Sequence, residues 1–167
     1  MCEASENYVW NLEDRIGSGA TSVVYKSYNM QTGTIAAAKV SKTERRSSRL
    51  IRPNSSESSI FDREIQFLKD MDHPNIIRFI GLEVVSLHND VRLTQVREVV
   101  FLEFCNGGSL SDVLQQPANR FGLPEDTILQ LMKDIIGALR YLYERQIVIL
   151  KRKCLYRLCF LISIDSS

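Results

Sequence analysis

The residues best suited to chemistry lie in Ile16-Gly17-Ser18-Gly19-Ala20-Thr21-Ser22-Val23-Val24-Tyr25, with Ala37-Ala38-Lys39 downstream. Two glycines separated by one residue let a backbone turn approach something bulky, because a Cβ there would collide with it. Phosphate is the usual guest of such a turn, since bare N–H groups and a nearby lysine both favour negative charge. A glycine-rich loop alone is a weak signal, and its flanks decide its meaning. The loops that bind dinucleotides, and the Walker loops, open a helix. Here Val23 to Tyr28 are β-branched and aromatic, which predicts a strand. Gln31-Thr32-Gly33-Thr34 predicts a turn, and Ile35 to Val40 a second strand carrying Lys39. The chemistry expected of a glycine hairpin returning to a lysine-bearing strand is the gripping of a phosphate chain. The plainer alternative for Lys39 is a surface lysine at a strand end.

These residues must be positioned by a domain of ordinary size, for the chain has 167 residues and 44% apolar content, enough for a core. A net charge of +1 gives no global attraction to nucleic acid or to a membrane. Cys2, Cys105, Cys154 and Cys159 lack metal-ligand spacing, and their plain reading is as reduced thiols of a cytoplasmic protein. No metal site is predicted from them. The opening Met1-Cys2-Glu3-Ala4-Ser5-Glu6 is polar and acidic, unlike a secretory signal, and residues 1–7 are expected to be a mobile leader.

Tyr8 to Ile16 alternates as a first strand entering the glycine turn. After Val40, Lys42, Arg45, Arg46, Arg49 and Arg52 precede a serine-rich run, so 42–59 is expected to be a polar insertion. A solvated connection is favoured there over a phosphorylation or anion-binding loop, since this composition cannot bury a core. Ile60, Phe61, Ile65, Leu68 and Met71 have helical spacing, with Glu64 at the edge of the apolar side. Pro74 ends that helix, and His73 before it is expected to be structural. Residues 76–85 supply one or two strands and 98–104 a further, mostly apolar one. Ser109 is a plausible N-cap for a short helix over 110–115. The longest helix is predicted over about 125–145, with an apolar arc broad enough for burial on more than one side.

As an ordered set these residues resemble a protein kinase, with the IκB-kinase-related serine/threonine branch, the TANK-binding-kinase and IκB-kinase-epsilon type, as the nearest match. The resemblance rests on the glycine stretch, Arg63-Glu64, His73-Pro74-Asn75-Ile76-Ile77, Glu103-Phe104-Cys105-Asn106-Gly107-Gly108-Ser109-Leu110, and Pro117 through Glu125. It covers roughly 8–148. It implies an α+β fold: a kinase N-lobe over 8–105, with a five-stranded antiparallel sheet and one packed helix, then a partial C-lobe over 106–148. It also implies ATP as ligand, with Gly17 and Gly19 over the phosphates, and Ser22 where the family has a third glycine. Ile16 belongs to the same ATP-binding set. Val24 and Ala37 would enclose adenine, and Lys39, oriented by an ion pair with Glu64, would hold the α- and β-phosphates. Leu102 would guard the back of the pocket, while Glu103 and Cys105 would offer backbone groups to adenine.

The match stops at Val148, where a family member continues to His-Arg-Asp and Asp-Phe-Gly and this chain reads Ile149-Leu150-Lys151-Arg152-Lys153-Cys154. The family's catalytic base and both Mg2+ ligands are therefore missing, and the chain is expected to be truncated before the catalytic loop and unable to transfer phosphate. Residues 149–167 are taken as a divergent tail from an alternative exon or a frameshift. Their apolar run is interrupted by Arg157 and shorter than the about 20 residues of a membrane span. The function expected is the ATP-binding portion of a serine/threonine kinase, a transferase family, here linked to innate immune signalling. The alternatives are a non-enzymatic module acting on kinase-pathway proteins, or an incomplete product.

Overall fold

The computed structural model describes residues 1–42, 45–46, 65–87 and 95–147. The chain divides into two compact units, one of Met1–Met71 with Arg78–Phe104, the other of Asp72–Ile77 with the chain from Cys105 onward.

The first unit is an antiparallel sheet built from β1 (Cys2–Ala4), β2 (Tyr8–Ser18), β3 (Ser22–Asn29), β4 (Ile35–Ser41), β5 (Arg45–Arg46), β6 (Phe79–Leu87) and β7 (Gln95–Glu103). The strands run in the order β1-β2-β3-β4-β7-β5, with β6 also paired to β7. The β3–β4 hairpin forms because Asn29 caps its own turn, its side chain accepting from the N–H groups of Gln31 (3.0 Å) and Thr32 (2.9 Å). Gly33 then takes φ 70°, which a side chain would resist. Helix α1 covers 65–69 of the described residues and buries Ile65.

Where the sequence suggests a mobile leader, the chain forms β1, with Glu3 opposite Trp10. A side-chain clamp holds this end. Asn7 donates from its backbone N–H (3.2 Å) and its Nδ2 (3.0 Å) to the two oxygens of Glu83 on β6, and Glu3 lies 3.7 Å from Arg97 on β7. Where five strands are predicted, the sheet has seven, the additions being the short β1 and β5. Of the 42–59 insertion, Arg45 and Arg46 pair with Val96 and Gln95, and the rest beyond Lys42 lies outside the described residues.

In the second unit, α2 (Leu110–Leu114) begins with a capping box. Ser109 Oγ accepts from the Asp112 N–H (3.2 Å), and the Asp112 carboxylate accepts from the Ser109 N–H (2.7 Å). The carboxylate also accepts from the Ser109 hydroxyl (2.6 Å), and this bond, with the one from the Ser109 N–H, holds the Asp112 carboxyl below its ordinary pKa. A single 3-10 turn spans Pro117–Asn119, and α3 runs Glu125–Glu144 with two acidic residues in its first turn. It ends where Gln146 turns left-handed (φ 57°) and the Ile147 N–H returns to the Leu142 carbonyl (2.9 Å). His73 is structural here: its Nδ1 accepts from the Asn75 N–H (3.1 Å), and its ring packs on Tyr141 of α3. Ala138 and Leu142 of α3 are buried, whereas Ile128, Leu129, Met132, Ile136, Leu139 and Tyr143 are exposed. The arc predicted to be buried on more than one side is buried along one row only.

Candidate functional site

Strand alternation sorts the first unit's residues onto two faces. Paired residues of an antiparallel ladder point the same way, as do residues two apart along one strand. Val24 pairs with Lys39, and Lys39 with Val100; Lys26 pairs with Ala37, and Ala37 with Leu102. Val24, Ala37, Lys39 and Leu102 therefore share one face, and Gly17 joins it through its pairing with Val24. Tyr25, Ala38 and Phe101 occupy the opposite face, with Val40 and Val99 beside them. There they build a core with Trp10, against which Tyr8, Leu12 and Val85 pack.

The first face brings together the residues that the sequence assigns to one ligand. Ala37 and Leu102 are buried small and branched apolar groups, and Lys39 is 4% exposed. A lysine that buried is rare in a fold that has no use for its charge. Ile16 stands half exposed at the approach to the glycine loop, and Ser22, which the resemblance aligns with a third glycine, is buried at the start of β3. The loop is produced by irregular pairing: the β2–β3 register shifts between Trp10 and Arg15 and again between Arg15 and Gly17. Such bulges re-aim a strand next to a site. The tip closes with the Gly19 N–H donating to the Ser22 carbonyl (2.8 Å).

Neither glycine is required by the chain's own packing. A Cβ on Gly17 would meet Val24 at 3.8 Å and one on Gly19 the Ser22 carbonyl at 3.8 Å, both ordinary contacts, and neither has a positive φ. The two glycines thus leave bare backbone that the described residues do not fill.

Other expected residues fall elsewhere. Glu64 and its ion pair with Lys39 lie outside the described residues. Cys105 belongs to the second compact unit. Glu103 pairs with Ala36, and its N–H is committed to the Arg78 carbonyl (2.9 Å), which narrows its expected backbone role to its own carbonyl. Among the described residues no group of three His, Cys, Asp or Glu side chains gathers to hold a metal. Two residues were missed. Lys26 shares the site face, its Nζ 5.3 Å from the Phe104 ring, a placement that the period-two pattern through Lys26 and Val24 could have given. Lys42 reaches the glycine loop from beyond β4, where no periodicity points.

Comparison with known proteins agrees with this geometry. The protein kinase domain model matches residues 10–151. The chain is 31% identical over 146 residues to mouse (Mus musculus) inhibitor of nuclear factor kappa-B kinase subunit epsilon, covering 87% of the chain and 18% of that protein. It is 34% identical over 142 residues to the bovine (Bos taurus) subunit beta, covering 83% and 17%. It is 32% identical over 144 residues to human (Homo sapiens) serine/threonine-protein kinase 10, covering 85% and 13%. The chain belongs to the protein kinase family, and its first unit is that family's antiparallel N-lobe sheet. It spans less than a fifth of the length of these curated relatives.

Proposed function

We propose that this chain is the ATP-binding portion of a serine/threonine protein kinase of the IκB-kinase-related branch, and that these 167 residues by themselves do not transfer phosphate. The observation that carries the reading is the shared face of Val24, Ala37, Lys39 and Leu102 beneath a glycine hairpin of bare backbone. Apolar Val24, Ala37 and Leu102 suit a flat purine. The glycine backbone and Lys39 suit the anionic chain attached to it, since oriented N–H groups and a desolvated ammonium both favour negative charge. The sequence has neither His-Arg-Asp to take the substrate hydroxyl proton nor Asp-Phe-Gly to bind metal. Among the described residues no three His, Cys, Asp or Glu side chains gather where they could hold Mg2+.

Within this proposal the chain acts in the cytoplasm, on proteins of a kinase pathway in innate immune signalling. Among the described residues no helix is long and apolar enough to cross a membrane. Thermal unfolding of the whole chain tests the reading: ATP at a hundred times its Kd adds about 2.7 kcal/mol of stability and raises the midpoint. A midpoint indifferent to millimolar ATP contradicts it.

A second reading, a non-enzymatic interaction module, is favoured by the exposed row of Ile128, Met132, Ile136 and Tyr143 on α3. A chain that sediments as a monomer and retains no kinase-pathway protein counts against it.

A further inference from the structure

Lys42 stands just past β4 and is exposed, yet it contacts the glycine loop three times. Its backbone N–H donates to the Thr21 carbonyl (2.9 Å), and its Nζ donates to the Gly19 carbonyl (2.7 Å) and lies 3.4 Å from Ser18 Oγ. The first of these bonds extends the β3–β4 ladder, where Ser22 pairs with Ser41, and any residue could make it. The side-chain bonds are particular to lysine. An exposed lysine gains little from folding and loses rotamer freedom when held, so a short ammonium–carbonyl bond is informative.

The bond has a directional consequence. In a trans peptide the C=O of one residue and the N–H of the next point in opposite directions. Pulling the Gly19 carbonyl onto Lys42 therefore turns the Ala20 N–H away from Lys42. That N–H has no acceptor among the described residues. Glycine is the residue whose peptide would otherwise turn most freely. A loop that must choose one orientation on binding loses affinity to that ordering, and a loop already held does not.

We propose that Lys42 is a positioning residue for phosphate recognition: it pins the Gly19–Ala20 peptide so that the glycine loop presents the Ala20 N–H to the phosphate chain of a nucleoside triphosphate. This inference rests on the ATP-binding reading above. Lys39 supplies charge from the sheet face, while Lys42 supplies order to the loop from outside it.

Calorimetric titration of the full 167-residue chain with ATP and, separately, with adenosine tests it. Lys42→Ala is expected to weaken ATP binding about fivefold to tenfold, the loss of one charge-assisted bond that orders a loop, and to leave adenosine binding unchanged. Lys42→Arg, which keeps a donor cation at that reach, is expected to restore ATP affinity to within about twofold. Because Lys42 is exposed, the unfolding midpoint is expected to stay at the wild-type value. If Lys42→Ala binds ATP as the wild type does, or weakens ATP and adenosine equally, the positioning role is overturned while the nucleotide site stands. A wild-type chain that binds neither overturns the nucleotide reading itself and this inference with it.

Discussion

Ala37 and Ala38 are adjacent, equally small and both buried, yet they belong to different regions of the molecule. Ala38, fully buried, pairs with Tyr25 and Phe101, inside the aromatic core of one sheet face. Ala37 pairs with Lys26 and Leu102, on the face that carries Lys39 and Val24. On the core face, Tyr8 stacks on Phe101 with ring centroids 4.0 Å apart, and Trp10 tilts against the same ring at 6.0 Å. Large side chains there fill space, and small ones make room for them. On the other face small and branched groups lie beside a buried cation, the arrangement on which the proposed ligand seat rests. One β-strand thus packs the core with one set of residues and, in the proposed reading, seats a ligand with the alternate set.

The largest expected effect breaks the core face. Phe101→Ala should cost about 3–5 kcal/mol in urea unfolding, with a cavity between Tyr8 and Trp10. A loss below about 1 kcal/mol would mean that this face is not the core. Next comes the pair of neighbours. Ala38→Leu should cost about 1–3 kcal/mol by overpacking against Phe101. Ala37→Leu should instead show its main effect on ligand, lowering ATP affinity by at least about tenfold by filling the space above Leu102. Equal behaviour of the two variants in both assays would erase the distinction between the faces.

A smaller effect belongs to the edge that holds the core face closed. Glu83→Gln should cost about 1 kcal/mol, a charge-assisted clamp to Asn7 discounted for its partial exposure. The smallest effect is its pH dependence. Partial burial alone would raise the Glu83 carboxyl, but hydrogen bonds from the Ser5 and Asn7 side chains and from the Asn7 and Glu6 backbone outweigh it, leaving the pKa below its ordinary 4.5. A carboxyl depressed in the folded state stabilises the fold above its unfolded pKa, and that contribution is lost as pH falls through the folded value. The wild-type midpoint should therefore drop more steeply below about pH 4.5 than that of Glu83→Gln. Parallel curves for the two proteins would remove the clamp from the account.

The sheet was largely legible in the sequence because its strands alternate and the turn joining β3 to β4 carries Gly33 where the backbone takes a positive φ. The same alternation, once Lys39 is placed, puts Val24, Ala37 and Leu102 beside it. Strand β1 was not legible. Cys2-Glu3-Ala4 has no pattern of its own, and its conformation comes from pairing with β2 and from the distant partners Glu83 and Arg97. Lys42 was hidden for a similar reason: its partner Gly19 lies 23 positions away, and loop geometry rather than periodicity joins them. The exposed row on α3 shows the limit of pattern reading, since an apolar arc states what a helix prefers to bury but not what is present to cover it.

The central claim is that the Lys39 face is a seat for ATP, and calorimetric titration of the wild-type chain beside Lys39→Met tests it most directly. Methionine keeps the apolar stem of Lys39 and removes its charge, so the buried position stays filled. The account predicts saturable ATP binding by the wild type and an affinity weakened about tenfold or more by the substitution. Equal ATP affinity in the two proteins, or no saturable binding by the wild type, would contradict it.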